Sequence, residues 1–207
     1  MTSSTTIYIV RHGETDFNIN HITQGHTDST LTLNGVNQAG VLAKTFKDIK
    51  FDIAFSSDLS RAKRTAEIIL DGKDTLLNTS ELLRERSYGK FDGRPSSIFI
   101  EENKDILQKL KTLHKLERRK IKFAPDIESD EEINNRLHIF LKELFTQHSG
   151  KTILITTHGG IMRAFLNHLE WNGEEELKAG AIQNTGYIKL NTDGNNFIIE
   201  GVVGIDR

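Results

Sequence analysis

The apolar positions fall into short runs that alternate with amphipathic stretches. Ile7-Tyr8-Ile9-Val10 is β-branched and unbroken, the pattern of a buried strand, and it stops at the polar Arg11-His12-Gly13-Glu14-Thr15. Asn34 is placed to cap a helix from about 35 to 47, with Val36, Ala39, Ala43 and Phe46 near helical spacing. Ile53-Ala54-Phe55 predicts a second strand, ending at Ser56-Ser57-Asp58, and residues 60–70 a second helix. A weak third strand is expected at Leu76-Leu77. Residues 97–118 read as one charged helix. Residues 129–147 read as another, with Ile133, Leu137, Phe140, Leu141 and Leu144 on one stripe. Residues 151–157 form the clearest strand, and His158-Gly159-Gly160 opens a helix to Leu169. The tail alternates through 187–190, turns at Asp193-Gly194 and resumes at 197–199, a hairpin signal. Strands alternating with helices predict an α/β fold: a mostly parallel sheet between two helical layers. Active sites in such sheets lie beyond the carboxyl ends of the strands.

Composition narrows the chemistry. The 207 residues carry 27 Lys+Arg against 29 Asp+Glu, so no global basic field marks a nucleic-acid binder. Cysteine is absent, which excludes disulfides, thiolate metal sites and cysteine nucleophiles. No window approaches 18 apolar residues, so no membrane partner is expected. Met-Thr-Ser-Ser-Thr-Thr lacks the basic start and apolar stretch of a signal peptide, which makes the cytoplasm the default location. Histidines and carboxylates show no zinc spacing, and neither metal nor cofactor is expected.

The polar motifs sit where strands end. Arg11-His12 follows the first strand, Ser57 to Arg61 the second, and His158 the late one. Helix N-termini favour anions, and guanidinium forks match phosphate oxygens two at a time. Two arginines, two histidines and two helix starts on one rim describe a phosphate pocket, open to solvent, with Gly13 letting a ligand approach the backbone. Glu85 supplies a carboxyl for general acid–base work, flanked by Arg84 and Arg86. The remaining histidines, His21, His114, His138, His148 and His168, lack partners at useful spacing, while His26 lies near the presumed mouth. Arg118-Arg119-Lys120 reads as a solvated helix end, and Glu128-Ser129-Asp130 as a helix cap with first-turn acids.

Five ordered segments carry a family resemblance: Arg11-His12-Gly13-Glu14-Thr15 with Asn18; Gln24-Gly25-His26-Thr27-Asp28 through Gly35; Ser56-Ser57-Asp58-Leu59-Ser60-Arg61-Ala62; Leu83-Arg84-Glu85-Arg86-Ser87-Tyr88-Gly89; and Thr157-His158-Gly159-Gly160. Together they resemble the histidine phosphatase superfamily, also called phosphoglycerate mutase-like, over residues 6 to about 165. The resemblance implies a phosphoglycerate mutase-like three-layer α/β/α sandwich, with 1–207 as a single domain. Residues 96–124 match no family motif and are expected to form a helical insertion or cap. It also implies roles. His12 would be the nucleophile and carry a phosphohistidine. Arg11, Arg61 and His158 would hold the phosphoryl group, and Glu85 would protonate the leaving oxygen. Asn18, Gln24, Gly25, Arg86, Tyr88 and Gly159 would contact substrate, and Glu14 would be structural. Family mutases carry a proline-rich segment after paired arginines. Here Arg118-Arg119 is followed by Lys-Ile-Lys-Phe-Ala-Pro. The resemblance therefore favours a phosphatase, with some likeness to fructose-2,6-bisphosphatase-like members, acting on small phosphorylated metabolites. A 2,3-bisphosphoglycerate-dependent mutase is the alternative, and a non-catalytic phospho-ligand-binding protein the third reading. Oligomeric state stays open.

Overall fold

The first apolar run forms a strand at the middle of the sheet. The computed structural model describes residues 4–173 and 175–206. Along them run β1 (Thr5–Arg11), α1 (Asp16–Ile19), α2 (Leu33–Thr45), β2 (Ile53–Ser57), α3 (Ser60–Ile69), β3 (Leu77–Ser80), α4 (Ser96–Glu102), α5 (Lys104–Leu110), α6 (Lys115–Arg118), α7 (Asp130–His148), β4 (Thr152–Thr157), α8 (Gly159–His168), β5 (Ile182–Thr192) and β6 (Phe197–Ile205). The strands lie in the order β3-β2-β4-β1-β5-β6. The first four are mutually parallel, and the β5–β6 hairpin adds an antiparallel edge beside β1.

An unbroken apolar strand needs cover on both faces. In β1, Ile7 and Ile9 point to one side and Tyr8 and Val10 to the other; in β4, Ile153 and Ile155 oppose Leu154. The Ile7 face packs on Leu137, Phe140 and Leu141 of α7 and on Ile161 and Phe165 of α8. The Tyr8 face packs on Leu42 and Phe46 at the end of α2 and on Ile69 of α3. The result is the expected α/β/α sandwich.

Two expectations change. Thr32, not Asn34, caps α2, accepting a hydrogen bond from the Gly35 N–H at 2.9 Å. With the earlier start, Ala39, Leu42 and Phe46 are buried and Val36 is exposed. The stretch 97–118 is three short helices rather than one. Asn103 ends α4, where its N–H at 3.1 Å and its Nδ2 at 2.8 Å both donate to the Phe99 carbonyl, and a second break falls between Leu110 and Lys115. The capped start expected at Ser129 is present as a full capping box with Glu132.

Candidate active site

Parallel register brings the motifs together. Arg11 pairs with Thr157 at the carboxyl ends of β1 and β4, and the His12 N–H donates to the Thr157 carbonyl at 3.0 Å. His12 and His158 thus leave neighbouring strands side by side, ring centroids 5.2 Å apart. β2 ends on the same rim and delivers Arg61 in the first turn of α3. Arg11, His12 and Arg61 border a cavity of about 360 Å³, lined also by Asn18, Gln24, Gly25, Glu85 and Tyr88, with Phe99 and Ile100 of α4 at its edge; His158 is fully buried beside them and, like Gly159, is not part of the lining.

His12 is buried, not solvent-facing as its polar neighbours suggested. Its Nδ1 lies 2.7 Å from the Gly13 carbonyl oxygen. A carbonyl only accepts, so Nδ1 carries the proton and Nε2 keeps its lone pair. Burial first, then the charges of Arg61 and Arg11, hold the imidazole pKa well below its ordinary value. At neutral pH the ring is uncharged, with its lone pair on Nε2. His158 has the opposite tautomer. Its Nδ1 accepts from Arg61 Nε at 3.2 Å, so Nε2 bears the hydrogen. Burial and Arg61 push its pKa well down as well. That Nε2–H is buried and has no hydrogen-bond partner among the described residues; Arg11 Nε is in the same position.

Arg61 is fixed in three directions. Besides His158, it donates to the Thr27 carbonyl at 2.9 Å and the Gly25 carbonyl at 2.8 Å. Burial lowers its pKa to about 10, against the pull of Glu85, Asp28 and Asp92, so it stays a cation at pH 7. Arg11 donates to the Ile182 carbonyl and lies across Gly159, whose missing side chain gives it room. Asn18 Oδ1 accepts from Thr15 and Asn184, and Gln24 Oε1 from Ser29, which leaves both amide nitrogens for a ligand.

Glu85 accepts from two backbone N–H groups, Arg86 at 2.8 Å and Gly160 at 2.9 Å. Its flanking arginines are occupied elsewhere: Arg84 on Asp58, Arg86 on Asp130 and the Glu128 carbonyl. Arg86 therefore does not line the His12 cavity but an adjoining one, which Tyr88 borders too. The Glu85 segment is clamped from behind by Arg136, which donates to the carbonyls of Leu82 at 2.8 Å and Glu85 at 3.0 Å while pairing with Glu128. Glu128 in turn accepts from the Ser87 N–H at 2.9 Å, so it is more than a first-turn acid. His26 donates from Nε2 to the Glu85 carbonyl at 3.0 Å.

Two neighbours of His12 serve packing instead of a ligand, one as expected and one not. Glu14 accepts from the Thr32 hydroxyl at 2.7 Å and anchors the start of α2, the structural role expected of it. Gly13 makes room for a helix rather than a ligand: a Cβ there would lie 2.5 Å from the Gly35 carbonyl oxygen. Sequence reasoning missed Asn184 and Thr185. Asn184 Nδ2 donates to the His12 carbonyl at 3.1 Å and to Asn18 Oδ1 at 3.3 Å. The Thr185 N–H reaches the same carbonyl from a left-handed backbone, φ 58°, at an irregularity in β5. A β-branched residue in that conformation is strained and is held there by its surroundings. The other histidines stand outside the cavity, His138 against Phe197 and His148 against Phe55. Among the described residues, no group of three or more His, Cys, Asp or Glu is placed to hold a metal ion.

Comparison with known proteins agrees with this geometry. A Hydrogenobacter thermophilus protein named for phosphoserine phosphatase activity is 35% identical over 188 residues, 91% of this chain and 90% of its own length. The crystal structure of a phosphoglycerate mutase from Bacillus anthracis superposes with a TM-score of 0.85 at 25% identity, covering 99% of this chain and 94% of that one. An Entamoeba histolytica phosphoserine phosphatase, solved with 3-phosphoglyceric acid, gives 0.75 at 29% identity, with 96% of each chain covered. The family model for the histidine phosphatase superfamily (branch 1) matches residues 7–203, and the chain belongs to that family.

Proposed function

We propose that the chain is a phosphatase that hydrolyses phosphate monoesters of small metabolites through a phosphohistidine on His12. The carrying observation is the 2.7 Å contact of His12 Nδ1 with the Gly13 carbonyl, which assigns the lone pair to Nε2. In the first step Nε2 forms a bond to phosphorus as the bond to the alcohol oxygen breaks. That oxygen takes a proton from Glu85. The equatorial oxygens lie among Arg11, Arg61 and the His158 Nε2–H, which neutralise charge without moving. In the second step Glu85 takes a proton from water, the water oxygen attacks phosphorus, and the nitrogen–phosphorus bond breaks. His12 returns to its neutral tautomer, the proton on Nδ1 still facing Gly13. Asn18 and Gln24 supply further donors, and the helices within 96–124 serve as a cap over the cavity. The names of the Hydrogenobacter and Entamoeba relatives support small phosphorylated metabolites as substrates. Among the described residues no helix is long and apolar enough to cross a membrane, in keeping with a cytoplasmic place.

The test is rapid alkaline quenching with a labelled phosphate monoester. An acid-labile, base-stable phosphoenzyme is expected from the wild type and not from His12→Ala. An acid-stable phosphoester, or wild-type turnover by folded His12→Ala, would refute the mechanism. Isomerisation of phosphoglycerate faster than phosphate release would reassign the enzyme as a mutase.

A further inference from the structure

The carbonyl that sets the tautomer of His12 belongs to a glycine, and a glycine carbonyl is not aimed by a side chain of its own. Two peptide units decide where it points: the one joining His12 to Gly13 and the one joining Gly13 to Glu14. Both are trans. A trans peptide is planar and directs its N–H and its C=O to opposite sides, so holding either end aims the other.

Both planes are held, by side chains from three elements. In the Gly13–Glu14 plane the Glu14 N–H donates to Gln38 Oε1 of α2 at 2.9 Å, while the Gly13 carbonyl at the other end faces His12 Nδ1 at 2.7 Å. In the His12–Gly13 plane the Gly13 N–H donates to Thr65 Oγ1 of α3 at 3.0 Å. The carbonyl of that plane accepts from Asn184 Nδ2 at 3.1 Å and from the Thr185 N–H at 3.3 Å, both of β5. Thr65 is fully buried and gives its own hydroxyl hydrogen to the Arg61 carbonyl at 2.8 Å, so its lone pair is what faces Gly13. Gln38 reaches Glu14 because of Gly35, three residues earlier on the same face of α2. A Cβ at Gly35 would overlap the Glu14 backbone, and its absence lets the helix close on that strand of chain. Gln38 does not line the His12 cavity and lies outside the five segments that carry the resemblance.

We infer that Gln38 is a positioning residue: by fixing the Gly13–Glu14 plane it keeps the proton of His12 on Nδ1 and the lone pair on Nε2. Thr65 and Asn184 steady the plane before it. Without Gln38 Oε1 the plane can turn, the Gly13 carbonyl leaves Nδ1, and the ring gains its Nε2–H form. That form carries hydrogen where the bond to phosphorus has to be made. Losing one hydrogen bond shifts such a ratio by roughly 2- to 10-fold. The consequence for the reaction rests on the phosphatase reading above; the tautomer itself does not.

The experiment records the ring ¹⁵N shifts of His12 at neutral pH in histidine-labelled protein, assigned by the signals lost in His12→Ala. The same samples give the rate of phosphoenzyme formation from p-nitrophenyl phosphate, which barely needs an acid, and the inhibition constant of inorganic phosphate. The wild type should show the Nδ1–H form alone. Gln38→Met keeps the length of a half-buried side chain and removes its oxygen. It should move the two ring shifts towards each other as the Nε2–H form enters. It should also slow phosphoenzyme formation by roughly tenfold, short of the ~100-fold of a full 1 Å misplacement. Inhibition by phosphate should stay within about twofold, because Arg11, Arg61 and His158 keep their places. Gln38→Glu retains an oxygen at the same point and should restore both the shifts and the rate. Should Gln38→Met not fold, Thr65→Val against Thr65→Ser puts the same question to the preceding plane, and only the valine should shift the tautomer. Wild-type shifts in folded Gln38→Met overturn the inference, whatever the rate. So does a loss of phosphate binding as large as the loss of rate, the mark of a site that has merely come apart. So does failure of Gln38→Glu to recover. An Nε2–H ring in the wild type overturns the inference together with the tautomer assignment. Absence of a phosphoenzyme from the wild type removes the phosphatase reading, and the ¹⁵N shifts still decide for or against Gln38.

Discussion

Gly160→Ala isolates the placement of the proposed acid without touching its chemistry. Gly160 is the second residue of α8, and a Cβ added there would overlap Glu85 Oε1 and lie 3.0 Å from its Cδ. The overlapping group is the free end of a flexible side chain, so the carboxylate swings aside and the fold survives. Clearing the contact moves the carboxylate by roughly 1 Å, a displacement that costs on the order of 100-fold in a positioned catalytic group. The stability change is small. Alanine gains about 1 kcal/mol over glycine within a helix, and the lost hydrogen bond from the Gly160 N–H to Glu85 removes about as much. For a chain of this size 1 kcal/mol is roughly 2–4 °C in Tm, so the melting curve should scarcely move. Rapid-quench measurement of phosphoenzyme formation separates the effects. With an alkyl phosphate, whose alkoxide needs a proton, the rate should fall by about 100-fold. With p-nitrophenyl phosphate, whose leaving group barely needs one, the loss should be much smaller. Equal losses on both substrates would mean that Glu85 holds the site together instead of donating a proton. Full activity on the alkyl phosphate would remove Glu85 from the mechanism.

Three further outcomes follow from the same geometry. Glu85→Gln should cost at least ~100-fold on alkyl phosphates, because both carboxylate oxygens accept N–H groups and the amide must turn its own NH₂ against one of them; near-wild-type kcat would refute this. Arg61→Lys should lose at least ~100-fold in kcat and about 2–3 kcal/mol in a urea melt, since one ammonium cannot serve Gly25, Thr27 and His158 together; an unchanged kcat would place Arg61 outside the chemistry. His12 and His158 have folded pKa values well below their unfolded value of about 6.5, so they favour folding fully above that pH and this contribution is lost as pH falls towards the folded values. Denaturation below pH 6.5 should therefore show a stability slope of about 1.4 kcal/mol per pH unit for each, absent for His12 in His12→Ala, while kcat/KM corrected for substrate ionisation keeps no enzyme limb near 6.5. A limb at about 6.5 in the wild type that vanishes when His158 is replaced would refute its buried neutral assignment, and a missing stability slope below about pH 6.5 would refute that of His12.

What could be read from the sequence was whatever is local. The β1 run, the stripe on α7 and the strand ends bearing Arg11, His12 and His158 are set by residues within a few positions of one another. The pairing of arginines is not local. Arg84, Arg86 and Arg136 look interchangeable in sequence, yet each reaches a different carboxylate, at Asp58, Asp130 and Glu128, and Arg84 holds Glu81 as well. Those contacts span 26, 44 and 8 positions, none of them the three or four of a helical pair. Asn184 and Thr185 were invisible for another reason. They act through a break in the register of an otherwise ordinary hairpin strand, and alternation of apolar residues does not reveal a bulge. The single long helix expected over 97–118 is broken twice, at Asn103, whose N–H and side chain both bond the Phe99 carbonyl, and again between Leu110 and Lys115.

The site can be understood from what the fold leaves unmatched. Along the rim most charged groups have found a partner: Arg84, Arg86 and Arg136 each hold a carboxylate, and both oxygens of Glu85 accept N–H groups. The buried donors without a partner include His158 Nε2 and Arg11 Nε, from the two residues that flank His12 at the ends of β4 and β1. A buried polar atom without a partner costs about 1–3 kcal/mol, so these two cost roughly 2–6 kcal/mol together. The sheet can sustain that because β1 and β4 are locked in register by six consecutive pairs and by apolar cover on both faces, so the rim cannot relax to satisfy them. In the proposed mechanism a phosphoryl group would supply the missing acceptors, and best where its oxygens spread into the trigonal plane of the transition state. Glu85 differs in kind. With its oxygens already matched it has little to gain by binding phosphate. It lines the His12 cavity together with Tyr88, the ring that borders the cavity next door, and that place suits the proposed transfer of a proton to and from the oxygen that departs.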